Sequence, residues 1–200
     1  MNGRLGACLL AVTLSCQYVQ AQVIEYFSNG VKYQTLTRSG VTVIFAHLPE
    51  KIHTYTIIQA AVSNGSGGPY MIRPEDFSYV RSDGSVVRAV PAKTVIDMLM
   101  QKGNGSDVAK LVTTYEAGVY GNSHFKSTNG YEARRQSALG MSAQKLKAAT
   151  AASAIALVQT RLNAGDSTDG AIFFASDGKP LIGGHLMVRT NTDTFQFNPD

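Results

Sequence analysis

Apolar and polar positions change period twice along this chain. From Gly30 to Arg88 they alternate with the period of two expected of β-strands. Val31 to Thr37 and Val41 to Ala46 are rich in β-branched residues, and Arg38, Ser39 and Gly40 between them read as a hairpin turn. Thr54 to Ser63 is the longest strand candidate. Its face of Thr56, Ile58, Ala60 and Val62 is more apolar than that of Tyr55, Ile57, Gln59, Ala61 and Ser63, so the first face is expected in the core. Asn64 to Pro69 breaks the strand. Phe77 is expected to plug the core after the Pro74 turn, and Ser78 to Arg81, Asp83-Gly84 and Val86 to Val90 predict a second hairpin.

After Pro91 the period becomes that of an α-helix. Val95, Ile96, Leu99 and Met100 share one face of Lys93 to Lys102, with Gly103 as the stop. A second helix is predicted with Ser106 as its cap and Val108, Leu111, Val112, Tyr115 and Val119 as its stripe, ending near Gly121. Residues 122 to 130 read as a loop. Tyr131 to Leu139 and an alanine-rich segment from Ser142 to about Ala152 complete a four-helix block. Strand patterns return at Ile155 to Thr160, Ala171 to Phe174, Leu186 to Thr190 and Thr194 to Phe197. Strands that resume after an interruption most economically finish the sheet already begun. The fold class expected is therefore α+β: one antiparallel β-sandwich over residues 22–200, with about four helices inserted at 92–153.

The first twenty-one residues predict export. Met1 to Arg4 is short and carries one positive charge, Leu5 to Leu14 is mostly apolar, and Val19-Gln20-Ala21 has small residues where a signal peptidase cuts. Periplasmic or extracellular location is the expectation. Lipidation fits poorly: Cys8 has no hydrophobic region ahead of it, and Cys16 follows the wrong residue types. The apolar run is too short to span a bilayer, and no later segment comes close to the length required.

Both cysteines lie inside that leader, so a mature chain cut after Ala21 has no disulfide, thiolate metal site or cysteine nucleophile. His47, His53, His124 and His185 show no short-range ligand spacing, and no cofactor motif is present. Charge is uneven. Residues 22 to 92 hold six basic and five acidic side chains, 93 to 161 nine and four, and 162 to 200 two and five. The basic middle third suits an anionic glycan or lipid surface, or an envelope protein. Its charges are scattered and lack stacking aromatics, so they read first as the solvated faces of helices, and no nucleic-acid partner is expected.

Three places carry a family likeness: the strand ending at Asn64, the corner Arg73-Pro74-Glu75-Asp76-Phe77 with Asp83-Gly84, and Leu162 through Gly165 to Gly170 into Ile172-Phe173-Phe174. On these the chain resembles secreted bacterial immunoglobulin-like or telokin-like extracellular domains. The resemblance implies an immunoglobulin-like sandwich and no particular activity. The block 92–153 departs from that family, whose strands are joined there by a short loop.

Chemistry candidates are few. Ser142 and Lys145 match S-x-x-K without its partner motifs, and read as a helix start followed by a surface lysine. Tyr115-Glu116-Ala117 and Tyr131-Glu132-Ala133 repeat a triplet across a loop containing His124. Glu116 and Glu132, with His124, would serve a glycosidase-like hydrolase if they faced one cleft; otherwise the tyrosines pack inward and the glutamates meet solvent. Asp166 and Asp169 read as turn formers. Arg134 and Arg135 are anion-binding candidates, though neighbours on a helix point about 100° apart. A non-enzymatic binding or assembly module of the cell envelope is the first expectation, and the hydrolase the alternative.

Overall fold

The computed structural model describes residues 22–121, 131–177 and 179–199. Its class is α+β, with a mostly antiparallel sheet and four helices among the described residues. The strands are β1 (Ile24–Ser28), β2 (Val31–Arg38), β3 (Val41–Ile52), β4 (Tyr55–Asn64), β5 (Tyr70–Ile72), β6 (Phe77–Val80), β7 (Val86–Val90), β8 (Thr160–Leu162), β9 (Ser167–Ala175), β10 (His185–Arg189) and β11 (Thr194–Gln196). The helices are α1 (Ala92–Lys102), α2 (Gly105–Gly121), α3 (Tyr131–Leu139) and α4 (Gln144–Ile155).

Nine strands form one continuous sheet in the order β1-β2-β3-β4-β9-β7-β6-β10-β11, and β5 pairs with β8 in a two-stranded ribbon. The sheet is curled into a half-barrel. Both hairpins expected from the sequence form: Arg38 pairs with Val41 across Ser39 and Gly40, which both take positive φ, and β6 pairs with β7 across Asp83 and Gly84. Strands resumed after the helices do rejoin the first sheet, since β9 inserts between β4 and β7.

Curling gives the sheet two buried faces. Ile58, Ala60 and Val62 of β4 point into the half-barrel with Phe45, Phe77, Phe174, Leu186 and Phe195. Ile57 of β4 and Phe173 of β9 point the other way, against Leu99, Leu111, Tyr115 and the alanines of α4. The less apolar face of β4 is thus buried too, because helices cover it. Small alanines at 148, 149, 151 and 152 are what let α1, α2 and α3 crowd α4.

The helical block therefore belongs to the core. Removing it would uncover Leu48, Ile52, Ile57 and Phe173, each contributing about 1.5–3 kcal/mol when buried, against a typical domain margin of about 5–15 kcal/mol. Four such side chains together come to about 6–12 kcal/mol, the same order as that margin.

Several boundaries differ from expectation. Asn104, not Ser106, caps α2: its Oδ1 accepts from the backbone N–H of Ser106 at 2.9 Å and of Asp107 at 3.2 Å, while Asp107 Oδ2 accepts from Asn104 N–H at 3.0 Å. Of the segment from Ile155 to Thr160 only Thr160 lies in a strand, as the first residue of β8. α4 runs to Ile155, and Ala156 makes a single parallel bridge to Ala171. α4 starts without a side-chain cap, at Ala143 rather than Ser142. β1 and β5, which alternation did not reveal, complete the sheets. Phe77 is fully buried, as the corner requires.

Candidate functional site

Of the residues singled out for chemistry, Glu116, Arg135 and Asp169 gather at the seam between sheet and helices, with Tyr115 and Tyr131. Tyr115 and Tyr131 pack inward with their rings 4.9 Å apart. Tyr131 Oη donates to Glu116 Oε1 at 3.3 Å, and Arg135 forms an ion pair with the same carboxylate. Arg134 turns elsewhere, as the 100° step between helix neighbours demands. Its Nε and Nη2 donate to the Ala154 carbonyl in the last turn of α4, at 3.2 and 3.1 Å. Guanidinium groups favour such helix ends, where carbonyls lack partners. His124 and the side chain of Glu132 lie outside the described residues.

Asp166 is a turn former: its Oδ2 accepts from both the backbone N–H and Nδ2 of Asn163 at 2.9 Å. Asp169 is not. It lies within β9, only 5% exposed, where the Tyr115 hydroxyl donates to its carboxylate. Together Asp169, Tyr115, Tyr131, Glu116 and Arg135 fasten the helices to the sheet through polar contacts.

A different place has the geometry of a binding site. At one end of the half-barrel a cavity of about 320 Å³ opens among β2, β3, β4 and the loop 180–182. Strand pleating explains its lining. Lys32 and Gln34 are two apart on β2, and Phe45 and His47 two apart on β3, so each pair shares a face. Between His47 and Lys51 the β3–β4 register shifts, and the irregularity brings Lys51 opposite Thr56. Bulges of this kind re-aim side chains and open strand ends beside ligand sites.

The loop across the mouth is held at both ends. Ser176 Oγ donates to the Thr54 carbonyl and the Gly184 N–H donates to Tyr79 Oη, each at 2.9 Å. Between those anchors Leu181 is buried and Ile182 is 68% exposed. Phe45 and Leu181 supply apolar wall; the His47 ring packs edge-on to Phe45 and to Tyr79.

Polar groups in the cavity are few, and among the described lining residues the charged side chains are Lys32 and Lys51. Lys32 Nζ sits 3.2 Å from Glu25 Oε2 at the rim. Among the described residues Lys51 has no carboxylate partner. Thr56 is only 6% exposed, and its hydroxyl has no hydrogen-bond partner among the described residues. Buried hydroxyls are ordinarily satisfied, and this one is enclosed in the cavity wall with almost no accessible surface of its own. Sequence reasoning did not single out this site. The one available signal was Thr56 itself, a polar residue on the apolar face of β4.

An acid–base displacement lies on the opposite face of β2. Burial, and then the neighbouring Tyr26 phenol, push the Tyr33 hydroxyl up to about 12. Tyr33 stacks on Tyr26 at 5.1 Å and donates to the Gly118 carbonyl at 2.6 Å, tying β2 to α2. In the turn before β6, burial raises Asp76 above the usual carboxylate range, although a hydrogen bond from the Arg73 N–H opposes it.

No protein-family model matches this chain, and no curated protein matches it. Among solved structures, the yjhA protein from Bacillus subtilis aligns with 88% of this chain and 96% of its own length, at 10% identity and a TM-score of 0.37. A likeness that slight carries no argument about fold or function.

Proposed function

We propose that this chain is an exported, non-enzymatic binding module of the cell envelope that holds a small ligand in the end of its half-barrel. The observation that carries the reading is the cavity of about 320 Å³ with the buried, unpartnered Thr56 hydroxyl in its wall. Small-molecule sites are concave, mostly apolar and already formed, with a few polar groups that fix orientation, and barrel mouths are a recurrent place for them. The leader-like segment supports export. Among the described residues no helix is long and apolar enough to cross a membrane.

An immunoglobulin-like kinship belongs to the same proposal. Its support is that two halves of the sheet face each other across one apolar core, with Phe45 of β3 against Phe197 beyond β11 at 4.8 Å. An envelope partner is a further part of the reading, supported by the basic charge of residues 93 to 161.

Octanol tests the pocket. Added to the isotopically labelled protein, it should give saturable one-to-one shifts of the backbone amides of Thr56, Lys51 and Leu181. A response that does not saturate, or that falls elsewhere on the molecule, would refute the reading.

A further inference from the structure

Resting on that pocket, we infer that its ligand is an amphipathic monoanion: a single carboxylate-like head on a short chain or single ring. Two lysines border the cavity, and Lys32 already has Glu25 at 3.2 Å. Lys51 is left as the cation without a carboxylate partner among the described residues. One uncompensated positive charge beside a partly desolvated cavity favours one negative charge in it, and an ammonium ligand would meet two like charges.

Geometry fixes where the head goes. Lys51 and Thr56 are direct partners across β3 and β4. Cross-strand partners share a face with their Cβ atoms about 4.5–5.5 Å apart. A carboxylate can span that separation, placing one oxygen at the ammonium and, once Thr56 turns about χ1 to bring its enclosed hydroxyl to the cavity, accepting the hydroxyl proton with the other. Both would be charge-assisted hydrogen bonds, the stronger kind. A neutral alcohol could satisfy Thr56 but would leave Lys51 unanswered.

The body of the ligand then lies on Phe45 and Leu181, away from the lysines. Size limits it. About 320 Å³ is at the lower end of the roughly 300–1,000 Å³ common for ligand sites, which admits a short acyl chain or one ring and excludes a two-chain lipid.

Octanoate, octanol and octylamine separate the two layers of the argument, read by the same amide shifts and by calorimetry. The wild-type protein should bind octanoate about tenfold more tightly than octanol, and octylamine weakest. Lys51→Met should erase that preference while octanol affinity stays within about twofold, and Lys51→Arg should keep it. Thr56→Val, which preserves shape, should weaken octanoate and octanol alike. Equal binding of octanoate and octanol, a preference for octylamine, or an unchanged preference in Lys51→Met would overturn the monoanion while the octanol shifts keep the pocket. Silence from all three probes would overturn the pocket and the ligand class together.

Discussion

Gln34 of β2 grips the backbone of Asn198 with both ends of its amide. The Asn198 N–H donates to Gln34 Oε1 at 3.0 Å, and Gln34 Nε2 donates to the Asn198 carbonyl at 3.3 Å. The two residues are 164 apart in sequence. One amide side chain here imitates a strand, offering a donor and an acceptor to the segment that follows β11. Ser39 Oγ donating to Asp193 Oδ1 at 2.8 Å and Asn198 Nδ2 donating to Glu25 Oε1 at 3.2 Å fasten the same seam. The two ends of the curled sheet are thereby joined without a backbone ladder, and the unpaired edge groups that invite aggregation are partly occupied.

Gln34 is 2% exposed, so Gln34→Leu would keep the packing and orphan both Asn198 groups. Because Asn198 is exposed and water can replace the amide, a loss of about 0.5–1.5 kcal/mol is expected. Urea titration should report it as a lower midpoint with an unchanged slope. An unaltered midpoint would mean that the seam does not contribute to stability.

Gly170 is where the segment after α4 touches the sheet. A Cβ there would lie 2.4 Å from both Leu157 N and Cα, and the Leu157 N–H donates to the Ala171 carbonyl at 2.9 Å. Backbone cannot swing aside as a side-chain tip can. Gly170→Ala should therefore cost about 3 kcal/mol, at the upper end for overpacking. At Gly67 a Cβ would point into open space, and the same change there should leave the thermal midpoint nearly unaltered or raise it slightly.

Tyr115 supplies a hydroxyl proton to the Asp169 carboxylate inside the helix–sheet seam. Tyr115→Phe removes that donor and keeps the ring against Tyr131, so the change isolates the hydrogen bond. About 1–3 kcal/mol should be lost. Combining it with Asp169→Asn in a double-mutant cycle should recover part of the loss, since the asparagine carries no charge in need of the donor.

Alkaline stability should carry the signature of Tyr33. Its hydroxyl is raised to about 12 when folded, whereas an unfolded tyrosine titrates near 10. Between those values the unfolded chain releases a proton that the folded chain keeps, so stability falls as pH rises. The contribution is complete below about pH 10 and is lost as pH rises through about 12. Urea midpoints measured from pH 8 to 12 should fall less steeply in Tyr33→Phe than in the wild type.

Much of the fold was legible because hairpins and amphipathic helices are local. Ser39-Gly40 and Asp83-Gly84 announce turns, and the stripe of Val108, Leu111, Val112 and Tyr115 announces a buried helical face. Failures came where the neighbour was distant. Asp169 reads as a loop residue beside Gly165 and Gly170, yet pairing of β9 with β4 places it in a strand. Ile155 to Thr160 has strand composition, yet packing on the first helices prolongs α4 through Ile155. The pocket was illegible for the same reason: Lys51 reaches Thr56 through a register shift, and the loop at Leu181 arrives from more than a hundred residues away.

Sequence alone determined most of the element types, the return of the chain to its first sheet, and the position of both cysteines ahead of Gln22, because each depends on residue identity or short-range periodicity. The tertiary structure decided that the sheet curls into one half-barrel, that helices bury the second face of β4, and that Lys51 and Thr56 share a cavity. Those outcomes depend on which strands pair across the chain and in what register. A shift of one residue exchanges the two faces of a strand, and nothing local in the sequence records it.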